Sequence, residues 1–501
     1  MAEKILLWLD VFSQHFGMAT YLQKKYNYEI SAVIDVNRGK KFYEEQKFVD
    51  FKNIWYFREC FDKSQKKPDL QYLAQIEKKY KFDLWKIIYS DIHFYKYNEY
   101  YKFTYDEILV IIEQECKFFE KILDQTNPDF FAIRITDLSN GQILKKICVA
   151  KGIKVLMLGQ TRFENRLTIS EEYDYSEFSK KSDIKDEKSF KDLREAIEII
   201  SSSQSSFRKN FRNSKKIWIK GALKYLSLIS NSEYRDYYSN YGKFLSKVIY
   251  LEGTFPLKLR YRKKFIDNNF STNLDYNENF IYFPLSLDPE RSTLIPATFY
   301  TNQLEVITNI AKSLPVDFQL FVKEHPMQKI LAWRNIEFYK KIMELPNVTL
   351  VHPSISQENI LKHCKMLITI AGTSGLEAAL YEKPSIVFAD TIYASLPSVY
   401  RLKSLEELPT AIRESLKVKV KLSDVNEFMN LLHRSTFEFD FFGHDKKIFD
   451  EFHGGGFLIS NEISMTKLKI FFEKNNADYE LLTLEHIKKI NQYKKLEKRN
   501  Q

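Results

Sequence analysis

Short apolar runs alternate with stretches of helical periodicity along most of the chain. In the first half, Ile5–Phe12, Glu29–Asp35, Asp129–Thr136 and Ile153–Leu158 read as strands, with apolar residues at helical spacing over Tyr105–Leu123 and Gln142–Ala150. In the second half, Phe280–Leu285, Phe318–Lys323, Val348–Val351, Met366–Ile370 and Ser385–Ala389 alternate with helices near Asn302–Ser313, Arg334–Glu344, Gln357–Cys364 and Ser374–Glu382. Near-continuous apolar runs belong to strands covered on both faces, and their alternation with helices predicts parallel, doubly wound α/β sheets. The pattern changes twice. Residues 171–270 are polar and rich in Lys and Ser, with a hinge-like run Ser201-Ser202-Ser203-Gln204-Ser205-Ser206. Beyond Leu422 come a helix, a Phe-rich segment with Gly454-Gly455-Gly456, and a Lys-rich helical tail from Met465. The expected organisation is a Rossmann-like domain over 1–170, a basic helical connection over 171–270, a second Rossmann-like domain over 271–421 and a helical segment over 422–501.

Charge adds a preference for acidic partners. Lys and Arg total 76 against 66 Asp and Glu, a net charge of +10, but the cations are spread along the chain and no nucleic-acid motif occurs among them. Cys60, Cys116, Cys148 and Cys364 lie far apart, which points to a reducing compartment and away from a disulfide framework or a zinc site. No apolar run approaches the roughly 18 residues of a spanning helix, so the expected location is cytoplasmic, with peripheral attachment to the inner face of the membrane as an option. The cations for such attachment are clustered in Arg208–Lys216, in Lys258–Lys264 and in the tail at Lys488, Lys489, Lys494, Lys495 and Lys498.

Candidate chemistry gathers where strands end. Phe321-Val322-Lys323-Glu324-His325-Pro326 closes one apolar run, and Ala371-Gly372-Thr373-Ser374-Gly375-Leu376-Glu377 closes another. In an open α/β sheet, ligands bind beyond the carboxyl ends of the strands. Lys323 and His325, two residues apart, are expected on one face. Gly372 and Gly375 allow close backbone approach, while Thr373 and Ser374 add hydroxyl donors, an arrangement suited to phosphate. The loop is neither a Walker loop nor GxGxxG. Glu377 falls about one turn further on and is a candidate acceptor for a ribose hydroxyl, or else a capping glutamate. In the first half, Asp137 and Asp10 follow strands as carboxylates suited to base or nucleophile work, although strand-end aspartates also cap helices. Arg134, Arg162 and Arg166 are candidates for holding an anionic sugar.

Tyr282-Phe283-Pro284-Leu285, Asp288-Pro289-Glu290-Arg291-Ser292-Thr293, Asn302-Gln303, the Lys323 to Pro326 motif, and Gly372 to Ala378 followed by Lys383-Pro384 stand in an order and spacing that resemble bacterial capsule and surface polysaccharide biosynthesis glycosyltransferases, the group containing the β-Kdo transferases. The likeness covers roughly residues 280 to 400. It implies a GT-B architecture, two Rossmann-like domains facing a cleft, here with a helical insertion and a C-terminal helical tail. It also implies transfer of a sugar, Kdo or a related acidic sugar, from a CMP- or UDP-linked donor to a lipid-linked or growing polysaccharide. His325 and Lys323 would contact the donor phosphate with Gly372, Thr373, Ser374, Gly375, Glu377 and Glu290 nearby, and neither metal nor other cofactor would be needed. Asp137 as the catalytic carboxylate is chosen from position. Three other activities share features of this pattern: a teichoic-acid-type glycerol- or ribitol-phosphate transferase, a sugar-nucleotide epimerase, and a non-catalytic assembly protein.

Overall fold

The computed structural model describes residues 2–11, 13–36, 40–136, 138–161, 163–172, 188–195, 225–226, 232–453 and 464–500. The hinge-like serine run, the Arg208–Lys216 cluster and the triple glycine lie outside the described residues. The chain divides into two compact units. Unit 1 comprises Met1–Tyr173, Glu198–Leu245 and Thr436–Gln501, and unit 2 comprises Asp174–Ile197 and Ser246–Ser435.

Among the described residues, unit 1 contains β1 (Lys4–Leu9), β2 (Glu29–Ile34), β3 (Phe51–Tyr56), β4 (Phe130–Arg134), β5 (Lys154–Gln160) and β6 (Arg166–Ser170); unit 2 contains β7 (Phe280–Pro284), β8 (Gln319–Lys323), β9 (Val348–Val351), β10 (Met366–Thr369), β11 (Ser385–Val387) and β12 (Val399–Arg401); and β13 (Phe437–Glu438) returns to unit 1. The unit 1 sheet runs β13-β6-β5-β4-β1-β2-β3, parallel from β5 to β3, with β6 and β13 antiparallel additions. Alternation along β1 sends Ile5, Leu7 and Leu9 to one core and Leu6 and Trp8 to the other, so each face of the sheet is covered. The helix Tyr105–Thr126 on the second face begins with a capping box, Thr104 and Glu107 each satisfying the other's backbone N–H.

The unit 2 sheet runs β12-β11-β10-β7-β8-β9, entirely parallel. Counted within the unit, this is the 6-5-4-1-2-3 order of a dinucleotide-type fold, and the order reverses between β7 and β10. Unit 1 has the same reversal between β1 and β4. Two Rossmann-like doubly wound units are the composition of a GT-B chain.

The C-terminal residues do not form one separate element. The helix Leu422–Ser435 belongs to unit 2, whereas 436–501 complete unit 1. The reason lies in packing: Phe441, Phe452, Phe471, Tyr479, Leu482, Ile490 and Tyr493 are buried in the same core as Phe16 and Leu22 of the helix Gln14–Tyr26. Gly17 is the close-approach point. A Cβ there would stand 2.2 Å from Tyr479 Cε1. Of the expected connection over 171–270, the principal described element is the helix Leu245–Asn269, in which Ile266 is buried.

Candidate functional site

In unit 2 the loop after β7 is fixed by side-chain amides that imitate a backbone ladder. Gln303 accepts from Ser286 N at 2.9 Å and donates to Ser286 O at 3.1 Å, and Gln328 does the same for Asp288 N and O at 3.0 and 3.1 Å. Arg334 ties this loop to the next one. Its guanidinium donates to Asp288 Oδ2 at 3.1 Å, to the Ser286 carbonyl, and to Glu324 Oε2 at 2.9 Å. Glu324 is fully buried, yet its carboxylate also accepts from Tyr339 Oη at 2.7 Å and from His325 N at 2.7 Å. A buried charge with this many partners holds geometry, and removing one partner would leave the other uncompensated. The sequence places Glu324 within the Lys323–Pro326 motif and Arg334 at the start of a helix but assigns neither a role; a carboxylate between Lys323 and His325 at the end of an apolar run is the available signal.

This network sets Lys323 and His325 at the carboxyl end of β8. His325 Nδ1 accepts from Met327 N at 3.1 Å, which places the imidazole proton on Nε2 and makes that atom a donor. Lys323 is 4% exposed and its ammonium has no hydrogen-bond or ion-pair partner among the described residues. Burial pulls its pKa down to about 8.

The Gly372 loop follows β10, two strand spacings or roughly 10 Å from β8 across β7. Tyr393 Oη donates to the Gly372 carbonyl, and Gly372 N donates to Thr369 Oγ1 at 3.3 Å. Gly375 packs on the same tyrosine, where a Cβ would stand 2.6 Å from Tyr393 Oη. Ser374, buried, opens the helix Ser374–Leu380. Glu377 differs from the sugar-facing role expected for it: Oε2 accepts from Gln357 Nε2 at 2.6 Å and Oε1 from Thr373 Oγ1 at 3.3 Å, with burial raising its carboxyl pKa. Glu290 precedes the short helix Arg291–Leu294, whose Thr293 and Leu294 N–H groups donate to its carbonyl.

The unit 1 candidates are rearranged. Asp137 and Arg162 lie outside the described residues. Arg134 is committed to Asp445 as a two-pronged pair at 2.9 and 2.6 Å, with Gln14 bonded to both and the Phe441 ring 4.1 Å from the guanidinium carbon. Arg166 donates to Thr436 Oγ1 at 2.7 Å and Thr436 O at 2.8 Å, beside the β6 and β13 pairing. Both arginines therefore hold the C-terminal residues in unit 1 in place of the anionic sugar expected of them. Their partners lie 311 and 270 residues away, which no local pattern reveals.

Comparison with known proteins gives a family and distant likenesses. Residues 186–441 match the profile of the family described as capsule polysaccharide biosynthesis protein. The capsule polysaccharide modification protein LipB of Neisseria meningitidis serogroup A is 29% identical over 107 residues, 21% of this chain. The matched stretch spans only 25% of LipB's own length, and the serogroup B protein matches equally. Among solved structures, the β-Kdo 2,7 transferase of Thermosulfurimonas dismutans KpsC is 12% identical, with a TM-score of 0.31, over 70% of this chain and 87% of that one. The UDP-GlcNAc 2-epimerase of Neisseria meningitidis is 11% identical, with a TM-score of 0.25, over 90% and 99%. The profile takes in just over half of the 501 residues, including the β7, β8 and β10 loops that hold Asp288, Lys323, His325 and Ser374, and the chain belongs to the capsule polysaccharide biosynthesis protein family.

Proposed function

We propose that the chain is a glycosyltransferase that takes a sugar from a nucleotide-sugar donor, gripped at its phosphate by unit 2, and adds it to a surface or capsular polysaccharide. The observation that carries this reading is Lys323, a nearly buried cation with no described partner, two residues from a histidine whose Nε2 is a donor. An anion there would replace the water the ammonium has lost. The Ser374 hydroxyl on the other side of β7 extends the donor set, while Thr373 is engaged with Glu377, and Gly372 keeps that approach low. Such an array meets phosphate charge as the leaving bond breaks, with no reorganisation at that moment. Side chains thus supply the neutralisation, and turnover is expected to persist in EDTA. Family membership supports the acceptor class, and the resemblance of the motifs supports Kdo or a related acidic sugar on CMP or UDP.

No helix among the described residues is long and apolar enough to cross a membrane. Attachment at the surface is proposed through the helix Leu245–Asn269, where exposed Ile249, Tyr250, Leu257 and Tyr261 stand among Arg260, Lys263 and Lys264. The tail contributes less, since Lys494 pairs with Glu3 at 2.5 Å and Lys488 with Glu485 at 2.6 Å.

The test is release of CMP or UDP from a panel of nucleotide sugars, with and without a capsular oligosaccharide. Acceptor-dependent release supports the reading. Isomerised donor without acceptor would instead indicate an epimerase, and intact donors with no bound nucleotide by calorimetry would sink it.

A further inference from the structure

Unit 1 displays aromatic side chains on its surface as well as in its cores. Seven of the twelve residues from Phe94 to Tyr105 are aromatic, against 15% of the chain as a whole. The local structure sorts them. Phe94 is buried, edge-on to Phe103 at 5.4 Å and stacked on Tyr238 at 5.5 Å, while its neighbour Tyr95 is exposed. In the preceding helix Leu84–Ser90, Leu84, Ile87 and Ile88 enter the core, and Trp85 and Tyr89, four residues apart on the other face, carry large rings into solvent. Tyr105 is the first residue of the helix Tyr105–Thr126, fixed there by the Thr104 capping box. The four exposed rings are contiguous. Tyr95 meets Tyr89 at 5.1 Å between centroids, Tyr89 meets Trp85 at 6.0 Å, and Trp85 stacks on Tyr105 at 5.7 Å. Even so they stay 53%, 50%, 40% and 55% exposed in that order.

Single exposed aromatics are ordinary, but a connected group of four marks an interaction surface. The loop that carries part of it is already set. Asn98 donates to His93 O at 2.9 Å and accepts from Tyr100 N and Tyr101 N at 2.9 and 3.1 Å, so a ligand has little left to order. The chemistry of the patch narrows its occupant. Each ring is a Trp or a Tyr, an apolar face ending in an N–H or O–H, and none of the four is aliphatic. Exposed charges from Asp83 to Tyr105 nearly balance, with Lys86, Lys96 and Lys102 against Asp83 and Glu99. That is too little charge for a nucleic-acid or headgroup surface, where cations dominate, and the patch lacks the aliphatic stripe of the helix Leu245–Asn269. A pyranose ring has the matching properties. Its axial C–H groups form an apolar face that packs on an aromatic ring, its hydroxyls meet the polar tips, and the small cationic excess accommodates an occasional carboxylate.

We propose that Trp85, Tyr89, Tyr95 and Tyr105 form a glycan-binding platform on unit 1, which holds a run of pyranose residues of a polysaccharide by stacking on their C–H faces. Family membership supplies the polymer class, and the patch supplies the means of holding it. The platform does not depend on the transfer proposed for unit 2, so the two can fail separately. Adjacent rings give adjacent sugars of one chain something to pack on. Affinity is thereby spread over several weak contacts and grows with chain length, which retains a long chain and leaves a monosaccharide unheld.

The test uses the full chain, hyaluronan as a carboxylate-bearing glycan and dextran as a neutral one, with affinity electrophoresis and tryptophan emission as readouts. Wild-type protein should be retarded by hyaluronan and less by dextran, with a blue shift in emission as Trp85 is covered; free glucuronic acid should give neither. Trp85→Phe should keep the retardation and lose the shift, because a ring remains while the reporter is gone. Trp85→Ala with Tyr105→Ala should weaken binding by about tenfold or more, at unchanged melting temperature and unchanged CMP or UDP affinity by calorimetry. Tyr89→Ala with Tyr95→Ala, which leaves the capping box untouched, is the second variant and should behave alike. No retardation of the wild type by either polymer, or undiminished retardation in a folded variant pair, overturns the proposal. So does loss, in those variants, of sedimentation with anionic vesicles or of a self-associated species in ultracentrifugation, since the patch would then serve a membrane or a second copy. A wild type that binds hyaluronan but releases no CMP or UDP from any nucleotide sugar would remove the transfer reading and leave the platform standing.

Discussion

His325 is fixed as one tautomer by what its Nδ1 atom meets, the backbone N–H of Met327. Its Nε2 is thereby a donor. Replacing His325 with Ala should cut turnover by about 100-fold or more, since one preorganised donor to developing charge is worth about 2.7–4 kcal/mol. A folded variant with near-normal turnover would remove it from the site. Lys323 makes a prediction with two opposite signs. Its pKa is about 8 in place of 10.5, so it is a cation below pH 8, and nucleotide affinity should fall as pH rises through that value. Stability of the unliganded chain should move the other way between pH 8 and 10.5, because there the unfolded lysine binds the proton that the folded one has lost. Lys323→Met should flatten both profiles. A nucleotide Kd that is level from pH 7 to 9.5 in the wild type would contradict the phosphate role.

The helix Leu245–Asn269 has two apolar faces. Leu259, Phe265 and Ile266 pack on the unit 2 core and Arg262 donates to Ala332 O and Trp333 O, whereas Ile249, Leu257 and Tyr261, at spacings of eight and four, stand 62%, 70% and 71% exposed. An outward apolar stripe flanked by cations suits the headgroup layer of an anionic membrane, where each nearby cation adds about 1 kcal/mol. Wild-type protein should sediment with phosphatidylglycerol vesicles and weakly with phosphatidylcholine ones; Leu257→Asp with Tyr261→Asp should abolish this without lowering Tm. Equal sedimentation of the variant would refute the assignment. Elements differ in how plainly they could be read. Continuous apolar runs such as Ile5–Leu9 and Met366–Thr369 announce themselves because both faces are buried. The edge strand β3 mixes exposed Lys52 and Asn53 into its run and gives no such signal, and β13 is only two residues long. The loops after β8 and β10, proposed to face phosphate, were legible because strand ends and small residues are local features. The Glu324–Arg334–Asp288 network was not, since only tertiary packing brings Asp288 to Arg334.

At the scale of the molecule, the C-terminal residues bring His486 against His15 in the core of unit 1. His15 and His486 meet edge to face at 5.8 Å, each with Nε2 lacking a hydrogen-bond partner. Burial lowers the His486 pKa to about 4, and burial, then His486 and Arg134, lower that of His15 well below its ordinary value. Both groups favour the folded state fully above their unfolded value of about 6.5, and that contribution is lost as pH falls from there toward 4. Tm should therefore drop across this window, and His486→Gln should reduce the drop; an unchanged slope in the variant would discount the pair. The return of the chain to unit 1 has a further consequence during synthesis. Domains ordinarily fold in the order they emerge from the ribosome. Here every described strand of unit 2 has been made by Arg401, while Tyr479, Leu482 and Ile490, which pack in the core of the first unit with Phe16 and beside Gly17, are translated only later. The unit whose strands are made first is completed only after those of the other, and over that interval a nascent chain exposes the unsealed apolar face around Phe16.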